Sequence, residues 1–386
     1  MAEALTGVNG NIIRWAREYY NMQPSEAARL IGVELDKYLA WEDGSDFPTY
    51  AKLRKISDVF RKPSAIFFFP TPPDIPAPTG DLRTLPNEVT SRFSRNAIIQ
   101  FEKGRVYQYS LRELYGERNS FISQRAGFPD DMYELCKFIR ESLKFPLELQ
   151  KVIKDRAAVF EKFRNKLYEL GIYVFKDAFK DNAISGLCIN DDQYPIIIVN
   201  NTMSFSRQIF TLFHELYHLI SNTSGVEIIR DDYLNFLRGN NQRIEKRCDE
   251  FANAFLVPLD DFVIELEKEA LSPVRIEELA NLYSVSREAI MYKLLQMRRI
   301  TSGEYSALKE EFYSESIRSE KKSPNASGGG NYYSTKLAYL GSSYTGDVVK
   351  QYATGKIDNV KASEMLNIKV DHLPRVEAMC FRRMRA

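Results

Sequence analysis

Two of the chain's three histidines stand four residues apart, in His214-Glu215-Leu216-Tyr217-His218. The surrounding apolar residues set the geometry. At 100° per residue Ile209, Leu212, Phe213, Leu216 and Ile220 fall on one face of a helix. His214 and His218 then project together from the other side. Residues at i and i+4 lie one above the other, so both imidazoles can reach one Zn²⁺ at about 2.0–2.1 Å. Glu215 lies further round, placed to contact a metal-bound water rather than the metal. Downstream, Cys248, Phe251, Ala252, Phe255 and Leu256 recur at helical spacing, which predicts a second amphipathic helix ending near Pro258. Glu245 on that helix can complete a two-His, one-carboxylate set with a fourth position open for water. Asp231, Asp232 and Glu250 are alternative carboxylates in the same stretch. Asp249, one turn after Glu245, can accept the spare ring N–H of a ligating histidine and fix its orientation. The chemistry these residues point to is zinc-dependent hydrolysis.

The segments IFTLFHELYHLI and EKRCDEFANAFLVP resemble the two signature helices of the ImmA/IrrE family of metallopeptidases. The second helix of that family usually reads Glu-x-x-Ala-Asn-x-Phe-Ala followed by Leu-Leu-x-Pro. Glu245, Phe251, Ala252, Leu256 and Pro258 stand at matching positions, while Cys248 and Asp249 replace the small residue and the Asn. The resemblance extends to DLRTLPN at 81–87 and YPIIIVNN at 194–201, and so covers most of residues 75–300. It implies a zincin-like domain, a small sheet with the His-Glu-x-x-His helix, acting as a zinc-dependent endopeptidase on helix-turn-helix repressors.

The elements that must position these residues follow from pattern. Short β-branched runs at Gly171–Phe175, Ile184–Ile189 and Ile196–Val199 read as a small sheet just before the metal helix. Pro195 predicts an edge strand for Ile196, Ile197, Ile198 and Val199, which could then bind an extended substrate by strand addition. Helical stretches are expected at 89–115 and 130–143. After Pro258, RIEELANLYSVSREAIMYKLLQM has a helix-turn-helix rhythm, read as packing within the peptidase domain.

The first seventy residues read as four short helices (Asn11–Tyr20, Ser25–Ile31, Leu35–Glu42 and Ala51–Phe60) and resemble the XRE/Cro-type helix-turn-helix. Ala27, Ala28, Leu30, Gly32, Val33, Trp41, Glu42, Gly44, Pro48, Leu53 and Ile56 stand at family-typical places. From Pro24 to Phe47, however, six acids (Glu26, Glu34, Asp36, Glu42, Asp43, Asp46) face two bases (Arg29, Lys37), a local charge of −4. Phosphate neutralisation by basic side chains supplies most of DNA affinity. Lys37, with Lys52, Arg54 and Lys55 from a basic group that also includes Arg61 and Lys62, are the candidate DNA contacts. A protein-docking role for this module stays open beside DNA binding.

With 386 residues and a net charge of +1, the chain is long enough for two or three domains and has no global nucleic-acid footprint. It contains no apolar run long enough for a membrane span and no signal peptide at its start, and its four scattered cysteines read as reduced thiols, so a cytoplasmic protein is expected. The expected class is α+β: a helix-turn-helix domain at 1–70, a connector at 71–130 whose Pro-rich linker runs from Pro63 to Pro86, a peptidase domain at 131–317, a flexible linker at 318–330 and a small helical domain at 331–386. His372 reads as a surface or packing residue rather than a fourth ligand. The expected partner is a protein substrate, a repressor or neighbouring gene product. The rival function is a regulator or antitoxin-like protein using the zinc fold as scaffold.

Overall fold

The computed structural model describes residues 3–74, 93–228, 240–322 and 332–385. The chain is α+β and divides into two compact units, Met1–Glu102 and Lys103–Ala386.

In the first unit α1 (Gly10–Tyr19), α2 (Pro24–Ile31), α3 (Leu35–Asp43) and α4 (Tyr50–Phe60) enclose a core of Ile12, Ile13, Ala16, Tyr38, Trp41, Ile56 and Phe60. Asn9 and Thr49 cap α1 and α4 with side-chain oxygens, satisfying backbone N–H groups that have no partner within the helix. Gly32 ends α2 in the left-handed region (φ 74°), where a side chain would be strained. Glu42 is buried rather than surface-borne: Arg17 donates to its two oxygens at 2.7 and 3.1 Å. The Pro-rich linker does not begin at Pro63. Residues Ser64–Phe68 form a 3₁₀ turn with Phe67 fully buried, and the Phe67 carbonyl accepts from the Asn9 N–H at 2.8 Å. An aromatic anchor overrides the composition here. Residues 81–87, which carry part of the family resemblance, lie outside the described residues.

The long helix α5 (Arg95–Tyr115) has its later turns in the second unit, which continues with α6 (Met132–Ser142), α7 (Leu147–Val152) and α8 (Arg156–Glu169). The sheet follows: β1 (Tyr173–Asp177), β2 (Ile184–Ile189), β3 (Ile196–Asn200), then α9 (Phe205–Ile220) and β4 (Gly225–Ile228). Its order is β1-β3-β2-β4, with β1 parallel to β3 and the other pairs antiparallel. The edge-strand expectation for Ile196, Ile197, Ile198 and Val199 is therefore overturned. β3 is flanked by β1 and β2, and all its residues are buried. Pro195 is tolerated because it precedes the first paired residue, where only its carbonyl is used, accepting from the Tyr173 N–H.

Next come α10 (Asn240–Leu256), α11 (Leu259–Leu266), α12 (Pro273–Tyr283) and α13 (Arg287–Gln296). Helices α8, α9, α10, α12 and α13 share one apolar core. Phe163, Phe213 and Phe255 meet at its centre, the last two stacked at 4.2 Å between α9 and α10. The helix-turn-helix rhythm of α12 and α13 is thus a packing device: Leu279, Tyr283, Ile290 and Leu294 all face this core. Helix α14 (Ser302–Lys322) continues into the stretch read as a linker, and 323–331 lies outside the described residues.

The chain closes with α15 (Tyr332–Leu340), α16 (Ser342–Ala353), α17 (Asn359–Met365) and α18 (Leu373–Arg385). α15 packs along β1. Buried Arg164 ties them to the sheet: it donates to Val174 O at 2.8 Å and to Ala338 O and Tyr339 O at 2.8 and 2.6 Å.

Candidate metal centre

Helix α9 starts at Ser204, whose hydroxyl accepts from the Arg207 N–H, and runs as one of the most enclosed helices of the unit. Ile209, Leu212, Phe213 and Leu216 fill the core on one side, and His214, Glu215 and His218 are buried on the other. Helix α10 packs across it and brings Glu245 to the same place. Glu245 Oε2 lies 3.2 Å from His214 Nε2, and Oε1 lies 3.4 Å from His218 Nε2.

Hydrogen bonding fixes which ring nitrogens carry protons. His214 Nδ1 lies 3.0 Å from Asp249 Oδ1; an ionised carboxylate only accepts, so this nitrogen donates. His218 Nδ1 lies 3.0 Å from Thr223 Oγ1, and that hydroxyl gives its single hydrogen to the His218 carbonyl at 3.0 Å. Thr223 Oγ1 must then accept from Nδ1–H. In neutral imidazoles both Nε2 atoms are left with lone pairs directed towards Glu245. Three acceptors facing one another in a buried space need a proton or a metal cation between them. Around a tetrahedral ion with bonds of about 2.05 Å, ligand atoms are about 3.3 Å apart. The observed 3.2 and 3.4 Å fit that spacing. Burial pushes the Glu245 carboxyl up, but when the two rings are protonated their charge and hydrogen bonds outweigh it and hold it well below the usual carboxylate range.

Cys248 is a second candidate on α10: His214, His218 and Cys248 offer ligand atoms all within 4.8 Å of one another. Glu245 fits better, since its two oxygens each face one ring at ligand spacing. The Cys248 thiol is fully buried in the apolar core, and burial pushes it well above its ordinary range. Of the other carboxylates considered from sequence, Asp231 and Asp232 lie outside the described residues, and Glu250 is exposed.

The sheet supplies a wall at the site. A Cβ on Gly225 would come within 2.5 Å of the His218 ring, and one on Gly186 within 2.3 Å of Thr211 and 3.6 Å of Glu215 Cγ. Glycine at these places is what lets β4 and β2 approach the metal helix. The Cys188 thiol on β2 faces the Thr223 carbonyl at 4.0 Å, while its sulfur accepts from the Gly225 N–H at 3.2 Å. Thr223, Gly225, Gly186 and Cys188 were not singled out from sequence. Only Thr223, five residues beyond His218, lay close enough along the chain to be suspected. His372 packs edge-on against Tyr333.

The candidate DNA contacts divide. Lys37, Arg54 and Lys55 are exposed. Lys52 instead donates to the Gly32 carbonyl at 2.7 Å, at the C-terminal end of α2. Lys62 of the same basic group lies over the Tyr19 ring at 3.9 Å and pairs with Glu102. On α3, Leu35 and Leu39 are 40% and 39% exposed, one turn apart.

Among the described residues no helix is long and apolar enough to cross a membrane. No curated protein matches the chain. Residues 168–295 do match a family model, Peptidase_M78, the IrrE N-terminal-like domain. The matched segment holds His214, Glu215, His218, Glu245 and Asp249, and the match supports the ImmA/IrrE family of metallopeptidases.

Proposed function

We propose that this protein is a zinc-dependent regulatory endopeptidase that hydrolyses one protein partner, a helix-turn-helix repressor or neighbouring gene product, in the cytoplasm during a stress, phage or mobile-element response. The observation that carries this reading is the convergence of His214 Nε2, His218 Nε2 and Glu245 with Glu215 alongside. His214, His218 and Glu245 would hold the metal. When bound, zinc supplies Lewis acidity and lowers the pKa of a coordinated water towards neutrality.

The chain's own residues do the rest. Glu215 takes a proton from the attacking water and returns it to the leaving amine. Asp249 and Thr223 keep the two imidazoles in the tautomer that presents Nε2. Burial of the site excludes bulk water and strengthens each charge interaction inside it. With β3 paired on both sides, an extended substrate is better placed along β4. Among the described residues β4 pairs only with β2, and Gly225 touches the His218 ring. Val226→Pro removes one backbone donor from β4 and is expected to abolish cleavage with bound metal retained.

The N-terminal unit serves partner recognition in this reading. Exposed Leu35 and Leu39 beside Glu34 and Asp36 suit a protein surface better than a phosphate backbone. The decisive experiment incubates the purified protein with the product of the adjacent gene. Wild type should cleave it, chelation should stop cleavage, and Glu215→Gln should keep stoichiometric zinc while losing about 10²–10⁴-fold in turnover. Undiminished cleavage by Glu215→Gln sinks the general-base role. Salt-dependent binding to the protein's own promoter without any cleavage would favour the regulator reading instead.

A further inference from the structure

Away from the metal centre, a cavity of about 130 Å³ lies between the end of β1, helix α5 and the C-terminal helices. Its walls are partly aromatic. Tyr107 on α5 lies flat against Phe175 with ring centroids 4.0 Å apart, and Tyr339 on α15 accepts from Asn201 Nδ2 at 3.0 Å. Its charge is predominantly positive. Lys103, Lys176 and Lys336 line it against one carboxylate, Asp177.

The positive charge is incompletely matched nearby. Lys103 pairs with Asp177. Lys176, only 6% exposed, pairs with Glu161 at 2.8 Å, and burial still lowers its affinity for a proton. Buried Arg164 draws on the same Glu161 at 3.5 Å. Among the described residues Lys336 forms no ion pair; its ammonium lies 5.9 Å from the Tyr332 ring centroid. Three lysines thus line the cavity against one carboxylate; Lys176 shares Glu161, which lies outside the lining, with Arg164, and Lys336 has no carboxylate partner among the described residues. A cavity of about 150 Å³ accepts a benzene-sized ring, so this one has room for a single ring and little more.

We propose that this cavity binds a small organic anion carrying one planar ring, its charge held by Lys336 and the neighbouring lysines and its ring against Tyr107 and Tyr339. Such a ligand offsets the unmatched charge and fills the aromatic walls, which neither a free inorganic anion nor a neutral ring does alone. Its contacts would join the C-terminal helices to the sheet edge, giving the C-terminal helices a ligand-sensing role. Nothing in this inference depends on the metal.

Calorimetric titration of the full chain tests it, with phenyl phosphate and benzoate as probes and inorganic phosphate and benzyl alcohol as controls. One saturable site per chain is expected for both aromatic anions, roughly tenfold or more tighter than for either control. Lys336→Glu should weaken binding roughly tenfold or more, and Lys336→Arg should preserve it. Exposed Thr335 also lines the cavity, and Thr335→Trp should block it. Circular dichroism and melting temperature of each variant separate lost binding from lost fold. The proposal fails if neither aromatic anion binds saturably, if inorganic phosphate binds as tightly, or if folded Lys336→Glu binds like wild type.

Discussion

His214 and His218 are held by different means, and the difference has consequences. One ring is fixed by a carboxylate on the other ligand helix, the second by a hydroxyl in the turn after its own helix. Removing either orienter leaves the ligands in place but frees the ring to rotate or change tautomer. Asp249→Ala and Thr223→Val should each weaken metal affinity by about 10–100-fold, measured by competition with a chromophoric chelator. Unchanged affinity in both would show that packing alone aligns the rings. Cys248 gives a separate test through cobalt substitution. If Glu245 is the third ligand, the cobalt protein shows no sulfur-to-metal charge-transfer band in the near ultraviolet and Cys248→Ser leaves its spectrum unchanged. A band that Cys248→Ser removes would reassign the ligand set. At this scale His214, Glu215, His218, Glu245 and Asp249 were readable because spacing along two helices determines which side chains meet. Gly225 and Cys188 were not, since their roles depend on strand-to-helix approach, for which one sequence offers no period.

Among the elements, the two ligand-bearing helices were legible and the sheet was only half so. The runs that became β1, β2 and β3 announced themselves through β-branched residues. Their order did not, because a parallel pairing of β1 with β3 across the intervening β2 leaves no local signal. β4 has four residues and no room for alternation. Helix α8 was overlooked because its buried Val159, Phe160, Phe163 and Leu167 are interleaved with charged residues, including Arg164, that also turn inward. The short helix α7 is anchored to α11 by charge: Lys151 Nζ lies 2.7 Å from Glu265 Oε1 and 2.9 Å from Asp261. Hydrogen bonds from Lys151 and Lys268 hold the Glu265 carboxyl below its usual range. A depressed folded-state pKa stabilises above the unfolded value, about 4.3, and that contribution is lost as pH falls through the folded value. Glu265→Gln should therefore cost about 1–2 kcal/mol at pH 7 and progressively less below about pH 4.3, read from denaturant melts across pH. A pH-independent difference would assign the cost to packing.

For the molecule as a whole, the C-terminal helices belong to the second unit because backbone carbonyls of α15 find a donor in buried Arg164. Gly341, at φ 89°, sits so close that a Cβ would meet that guanidinium at 2.7 Å. Arg164→Met removes three bonds to backbone carbonyls, besides the contact with Glu161, and should destabilise by about 3 kcal/mol, with protease sensitivity appearing first in the C-terminal helices. Global unfolding without that order would show that these helices are not separately anchored.

The two-helix origin of the ligands has a mechanical consequence. A metal held by His218 and Glu245 acts as a cross-link, closing the chain between them into a loop. For a loop of that length the chain-entropy model gives about 3–4 kcal/mol, comparable to a disulfide. Zinc would then be a clasp as well as a reagent. Stripping it should do more than silence the peptidase: an added protease should cut the connection between the helices faster in the stripped protein than in the loaded one.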